Sequence, residues 1–241
     1  MKIVIVESYE EMSMMAANLV KNQVIAKPTT VLGLAAGNTP LGMYKELIRA
    51  YNRGEVDFSQ ITSFNLDEYR GLGPNNKQSY HYYMNHNFFS QINMKSQNIF
   101  IPNGMAADVE KECRAYDDNI LARGGIDLQI LGIGENGHIG FNEPNAAYIN
   151  ETHLVKLDPT TVEANSIYFD SAEEVPTQAI TMGIKTILQS KMLILLANGQ
   201  DKAEAIYKAI KGEITPNVPA SILQTHSNAV FIIEKNASNL L

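Results

Sequence analysis

Short apolar runs alternate along the chain with longer stretches of helical periodicity, the pattern expected of βαβ units around a parallel sheet. Lys2–Val6 predicts a first strand, and Ser8 with Glu11 three residues on forms a capping box opening a helix to about Ala26. Thr30–Leu34 predicts a second strand. Thr39 as cap and Pro40 at the first helical position then start a helix to Arg53, with Gly54 just beyond it. Gln60–Leu66 predicts a strand, Ser79 opens a helix through about Ile92, and Asn98–Pro102 predicts another strand. A polar–apolar helix follows over about Ala107–Arg123, closed by Gly124 and Gly125, before the clearest buried strand, Ile126–Ile133. Past residue 145 the pattern weakens, with short strands expected near Glu151–Leu157 and Ala179–Met182. It recovers in a strand over Lys191–Ala197, a helix over Asp201–Lys211 and a strand over Ala229–Glu234.

No internal repeat, low-complexity tract or linker interrupts this series. The expectation is one α/β domain over residues 1–241, Rossmann-like, with an open, mostly parallel sheet and helices on both faces. The single cysteine, Cys113, excludes an internal disulfide framework and fits a reducing, cytoplasmic setting. The formal net charge of −7 speaks against a nucleic-acid partner. The longest apolar run, Met192–Ala197, is far short of the roughly 20 residues a membrane span needs, so no membrane partner is expected. Metal ligation is not expected either: no histidine pair has helical ligand spacing, and one cysteine cannot build a thiolate cluster.

In an open parallel sheet, ligands sit beyond the carboxyl ends of the strands. Four segments with unusual residues fall at such ends: Ala35–Thr39, Asp67–Arg70, Gly134–Pro144 and Asn198–Lys202. In the first, Gly37, Asn38 and Thr39 join a buried strand directly to a helix start, where backbone N–H groups and the helix dipole suit phosphate or carboxylate. The same residues also suit an ordinary βα turn. The run Gly132–Gly137 matches the G-x-G-x-x-G dinucleotide fingerprint, but Gly140 and Pro144 oppose the long helix that fingerprint requires.

That loop instead gathers Glu135, Asn136, His138 and Glu143 within nine residues. Histidine carries a proton reversibly near neutral pH, and a neighbouring carboxylate orients it and stabilises its charged form. Asp67 and Glu68 end a strand side by side, and in extended backbone their side chains diverge, so one of them is expected to face the site. Lys202 falls in the first turn of a predicted helix, where a cation opposes the dipole, a placement that suits an anionic partner.

Over essentially its full length the chain resembles the glucosamine-6-phosphate deaminase family. The resemblance is carried by LGLAAGNTPLGMYKEL at Leu32–Leu47, FNLDEYRGL at Phe64–Leu72 and LGIGENGHIGFNEP at Leu131–Pro144. ANS at Ala164–Ser166 and NGQDKA at Asn198–Ala203 match more weakly. Sugar-phosphate lactonases of the same superfamily share the Gly-rich histidine loop but resemble this chain less after His138.

The resemblance implies an enzyme that needs no cofactor and converts glucosamine 6-phosphate and water to fructose 6-phosphate and ammonia. It implies that His138, assisted by Glu143 and Asn136, moves a proton between ring oxygens to open the pyranose. Asp67 would then carry a proton from C2 to C1, while Gly37, Asn38, Thr39 and Lys202 hold the 6-phosphate. Three departures stand out. Asn136 occupies a position that is aspartate in much of the family, so it can orient and hydrogen-bond but not carry charge. Ile167 stands where larger relatives have a phosphate-binding arginine. The chain stops at Leu241 without the extension of hexameric relatives, and their allosteric basic residues find no clear match around His153–Val155. A monomeric form without that allosteric control is the expectation. Two further readings are a 6-phosphogluconolactonase-like hydrolase and a non-catalytic sugar-phosphate sensor.

Overall fold

The computed structural model describes residues 1–145, 147–166, 169, 171 and 174–241, with the side chain of residue 164 left out. Among these residues, strands lie at Lys2–Val6 (β1), Val31–Leu34 (β2), Thr62–Asn65 (β3), Asp67–Tyr69 (β4), Ile99–Phe100 (β5), Leu128–Leu131 (β6), His153–Lys156 (β7), Gln178–Thr181 (β8), Leu193–Ala197 (β9) and Ala229–Glu234 (β10). The α-helices span Tyr9–Ala26 (α1), Asn38–Asn52 (α2), Tyr80–Asn87 (α3), Val109–Ala122 (α4), Pro159–Asn165 (α5), Ile184–Leu188 (α6) and Ala203–Lys211 (α7).

Seven strands form one sheet in the order β1-β10-β9-β6-β2-β3-β5, every pair parallel. Strands β2, β6 and β9 are buried at every position, as a sheet covered on both faces requires. After β2 the chain steps outward through β3 and β5, then returns to the other side of β2 as β6. The order reverses between β2 and β6, and the loops leaving these two strands part there to form the crevice.

A second, three-stranded antiparallel sheet, β4-β8-β7, was not foreseen in the sequence pattern. Its cause is local. Leu66 still belongs to the main sheet, its N–H bonding Leu34 O at 2.9 Å, while its own carbonyl accepts from Met182 N at 2.7 Å. At Leu66 the chain leaves one sheet for the other, and Asp67 opens β4 two residues past the carboxyl end of β3.

Ser8 caps α1 as expected, its Oγ accepting from Glu11 N at 3.2 Å, while the Glu11 carboxylate accepts from Glu7 N at 2.9 Å and so closes the box one residue early. The start of α2 differs. Gly37, not Thr39, is the N-cap and has no side chain to donate or accept, and Asn38 is already helical. Helix α3 ends at Asn87, short of Ile92, and a 3₁₀ turn at Phe89–Gln91 follows. Among the described residues no helix is long and apolar enough to cross a membrane.

Candidate active site

The carboxyl ends of β2, β3, β6 and β9 open onto one cavity of about 520 Å3. Its wall includes Gly37, Asn38, Thr39, Asp67, Asn136, His138 and Lys202, so seven of the eight residues singled out in the sequence meet there. The eighth, Glu143, stands behind His138 rather than on the wall.

At one end, β2 runs into α2 through Gly37, whose φ of 109° only glycine adopts without strain. The turn is clamped by two tyrosines: Tyr83 Oη donates to Gly37 O at 2.6 Å and Tyr9 Oη to Asn38 O at 2.8 Å. Gly37, as the cap, offers this first turn no side chain, and the turn directs the positive end of the α2 dipole at the cavity. Lys202 faces the same cavity from a 3₁₀ turn at Gln200–Lys202, not from within α7 as expected. Its ammonium lies 3.0 Å from Asp201 and 3.5 Å from Glu135, so neighbouring acids answer the unfavourable dipole position that singled it out. Ile167 lies outside the described residues.

Asp67 is 6% exposed, and no hydrogen-bond donor among the described residues meets its carboxylate. Burial, with the adjacent Glu68 charge adding to it, pushes its carboxyl up to about 8. As the alternation of an extended strand requires, Glu68 turns the other way. It is 1% exposed and accepts three backbone N–H bonds at 2.9 Å, from Tyr69, Tyr80 and His81. Glu68 thereby ties the strand bearing Asp67 to the start of α3, whose Tyr80 and Tyr83 form the adjoining wall.

The loop after β6 has no helix, which removes the dinucleotide-fingerprint alternative. A Cβ at Gly134 would sit 2.3 Å from His138 Cε1, so glycine is what lets the imidazole lie over this backbone. His138 Nδ1 is 3.3 Å from Glu143 Oε2. Asn136 joins the pair from both ends of its amide: Oδ1 accepts from His138 N at 3.1 Å, and Nδ2 donates to Glu143 Oε2 at 2.8 Å. Burial raises the Glu143 carboxyl, but the Asn136 hydrogen bond and the approach of the His138 imidazole and the Thr161 side chain outweigh it and hold it at about 2. Glu143 is thus a permanent anion behind the imidazole. The amide at 136 supplies a donor where a carboxylate would repel it.

Sequence reasoning missed the rest of the wall. Phe141 stacks on Tyr80 with centroids 6.0 Å apart and lies 6.4 Å from His138, and Tyr69 packs 5.4 Å from Phe141. Helix α5 contributes Thr160, Thr161 and Asn165 to the cavity. Asp158 before Pro159 is a cap-and-first-position signature that could have revealed this helix. Lys77, from the loop before α3, also lines the cavity. Among the described residues no three His, Cys, Asp or Glu side chains come together as a metal-holding group.

Residues 7–232 match the family described as glucosamine-6-phosphate isomerases/6-phosphogluconolactonase. The chain is 58% identical, over 100% of both chains, to a glucosamine-6-phosphate deaminase of Clostridium acetobutylicum. It is 57% identical to one from Thermoanaerobacter sp., covering 100% of this chain and 95% of that one. A solved structure of a monomeric glucosamine-6-phosphate deaminase superposes with a TM-score of 0.98 at 46% identity over the whole of both chains. A 6-phosphogluconolactonase from Thermotoga maritima shares the fold, with a TM-score of 0.78, 19% identity and coverage of 97% and 99%.

Proposed function

Because the chain belongs to the glucosamine-6-phosphate isomerase/6-phosphogluconolactonase family, we propose that its cavity binds glucosamine 6-phosphate and converts it, with water, to fructose 6-phosphate and ammonia. The observation that carries this reading is the shared opening of Asp67 and His138 onto one cavity of about 520 Å3, within the usual size range for a small-molecule site. A sensor has no need of a buried carboxylate sharing one cavity with an imidazole–carboxylate pair. A lactonase has no need of a base at C2.

The α2 N-terminus at Gly37, Asn38 and Thr39, together with Lys202, holds the 6-phosphate and so fixes the sugar for proton transfer. His138 takes the proton from the anomeric hydroxyl and gives it to the ring oxygen, opening the pyranose to the aldehyde. Glu143 stabilises the imidazolium formed between these two transfers, and Asn136 keeps the carboxylate facing it. Asp67 then removes the C2 proton and returns it to C1, leaving an imine at C2. Water adds to that carbon and ammonia departs. A carboxyl raised to about 8 must first lose its proton to act, and once ionised its burial gives it the proton affinity of a stronger base. Each positioned acid or base is worth roughly 10²–10⁴-fold.

The enzyme works as a monomer in the cytoplasm, on small anionic sugars and not on nucleic acid. The 46% identity to a monomeric relative and the lone buried Cys113 support this. The deciding assay offers glucosamine 6-phosphate and 6-phosphogluconolactone in parallel. Ammonia release from the first with no hydrolysis of the second is expected; lactone hydrolysis without ammonia would replace this reading with the lactonase one. Hyperbolic kinetics, unaltered by N-acetylglucosamine 6-phosphate, are expected. A sigmoidal curve relieved by that sugar would contradict the monomeric form.

A further inference from the structure

Pro40 brings no N–H to the first turn of α2, so the backbone donors this turn can direct outward are those of Asn38 and Thr39. Each of these N–H groups shares a planar peptide unit with a carbonyl that points the opposite way: Asn38 N–H with Gly37 C=O, and Thr39 N–H with Asn38 C=O. Both carbonyls are held by a tyrosine from another helix. Tyr83, on α3, donates to Gly37 O at 2.6 Å, and Tyr9, at the start of α1, donates to Asn38 O at 2.8 Å. The Tyr9 hydroxyl also accepts from Gly42 N at 2.8 Å, so it spans the carbonyl and the N–H that the helical i to i+4 pairing would join. Glycine at 42 lets α1 come this close, since a Cβ there would lie 2.1 Å from Ser13 Oγ and 2.9 Å from Tyr9 Cε1.

Local packing contributes little at Gly37: among the described residues, a Cβ built on it meets nothing within 4 Å. With φ 109° and ψ 177° in the residue of widest conformational freedom, the Gly37–Asn38 plane can rock unless its carbonyl is held. Gly37, Asn38 and Thr39 all lie on the cavity wall, so the tilt of these two planes decides what the cavity meets there. We propose that Tyr83 and Tyr9 are positioning residues for the anion end of the site, one hydroxyl for each donor-bearing peptide. They set the two planes so that Asn38 N–H and Thr39 N–H are aimed at a phosphate before the sugar arrives. Their role deepens the reading of this turn as the holder of the 6-phosphate and rests on it. The phosphate takes no part in the proton transfers, so loss of this alignment falls on KM and not on kcat.

Tyr83→Phe and Tyr9→Phe each delete one hydroxyl and keep the ring. Each is expected to raise KM for glucosamine 6-phosphate about 3–10-fold and to weaken competitive inhibition by inorganic phosphate by the same factor, with kcat within about twofold. Lys202→Gln is measured alongside, because it strikes the same anion without touching either peptide plane. If Lys202→Gln leaves KM and phosphate inhibition unaltered, the anion end has been misread and the role of the tyrosines falls with it. If Lys202→Gln weakens both while neither tyrosine variant does, only the tyrosines are overturned. Urea unfolding separates alignment of the turn from simple bracing of α1 and α3 against α2. Unchanged KM and phosphate inhibition in both tyrosine variants, whatever their stability, means bracing alone and overturns the proposal. Should one variant fail to fold, the other carries the comparison for its own peptide plane.

Discussion

Burial of Asp67 has a thermodynamic consequence that can be measured without substrate. Its carboxyl, 3.8 in an unfolded chain, rises to about 8 in the folded one because burial disfavours its charge. Between these values the folded state holds a proton that the unfolded state has lost, so stability falls as pH rises across this window. Each pH unit costs about 1.4 kcal/mol, which gives roughly 4 kcal/mol at pH 7. Asp67→Asn abolishes this dependence, because an amide does not titrate. The buried amide has its own desolvation cost, roughly 1–3 kcal/mol, which offsets part of the gain but is the same at every pH. The net expectation at pH 7 is a more stable, inactive protein. The sharper signature is the difference in unfolding free energy between variant and wild type, which should grow by about 3–4 kcal/mol from pH 5 to pH 8. Urea unfolding at those two values measures it. A difference that stays constant across the window would show that burial does not hold the proton on Asp67, and the tuned-base argument would fail with it.

Other substitutions probe the remaining parts of the site. Gly134→Ala places a methyl 2.3 Å from His138 Cε1, so kcat should fall at least about 100-fold in a protein that still unfolds cooperatively; unchanged turnover would mean the ring is not confined there. Asn136→Asp replaces a donor 2.8 Å from Glu143 with a like charge, so the Glu143 carboxyl should titrate well above its present value of about 2 in carboxyl-labelled NMR spectra. An unmoved titration would show that the amide contributes little. Glu135→Gln removes one of the two carboxylates competing for Lys202; inorganic phosphate should then inhibit up to about fivefold more strongly, with kcat unchanged. Equal or weaker inhibition would detach Glu135 from the anion end.

Much of this architecture was legible because its strands are continuous apolar runs of the length a buried parallel sheet demands. The regions β1, β2, β9 and β10 fall where Lys2–Val6, Thr30–Leu34, Lys191–Ala197 and Ala229–Glu234 predicted them. The antiparallel sheet was hidden for a definite reason. The switch at Leu66 happens inside one unbroken extended stretch, and β7 alternates half-buried with exposed residues, leaving a weak apolar signal. The chemistry was legible where unusual residues crowd together, as in the loop from Gly134 to Pro144. Other roles depend on partners far away in sequence. Glu68 looks like half of an acidic turn until the N–H groups of Tyr80 and His81 close on it. Lys202 is the reverse case: its awkward position on a predicted helix suggested an anion, and Asp201 and Glu135 turn out to answer much of that charge.

The most direct test of the account follows the substrate's own hydrogen. Wild-type enzyme and Asp67→Asn are each incubated with glucosamine 6-phosphate in deuterated water, and NMR monitors both the C2 proton and the deuterium appearing at C1 of the product. The wild type should lose the C2 signal as it turns over. The variant should bind the sugar with similar affinity and leave that signal intact. Loss of the C2 proton at the wild-type rate in Asp67→Asn would mean that some other group abstracts it, and that the carboxylate buried in the cavity wall is not the base.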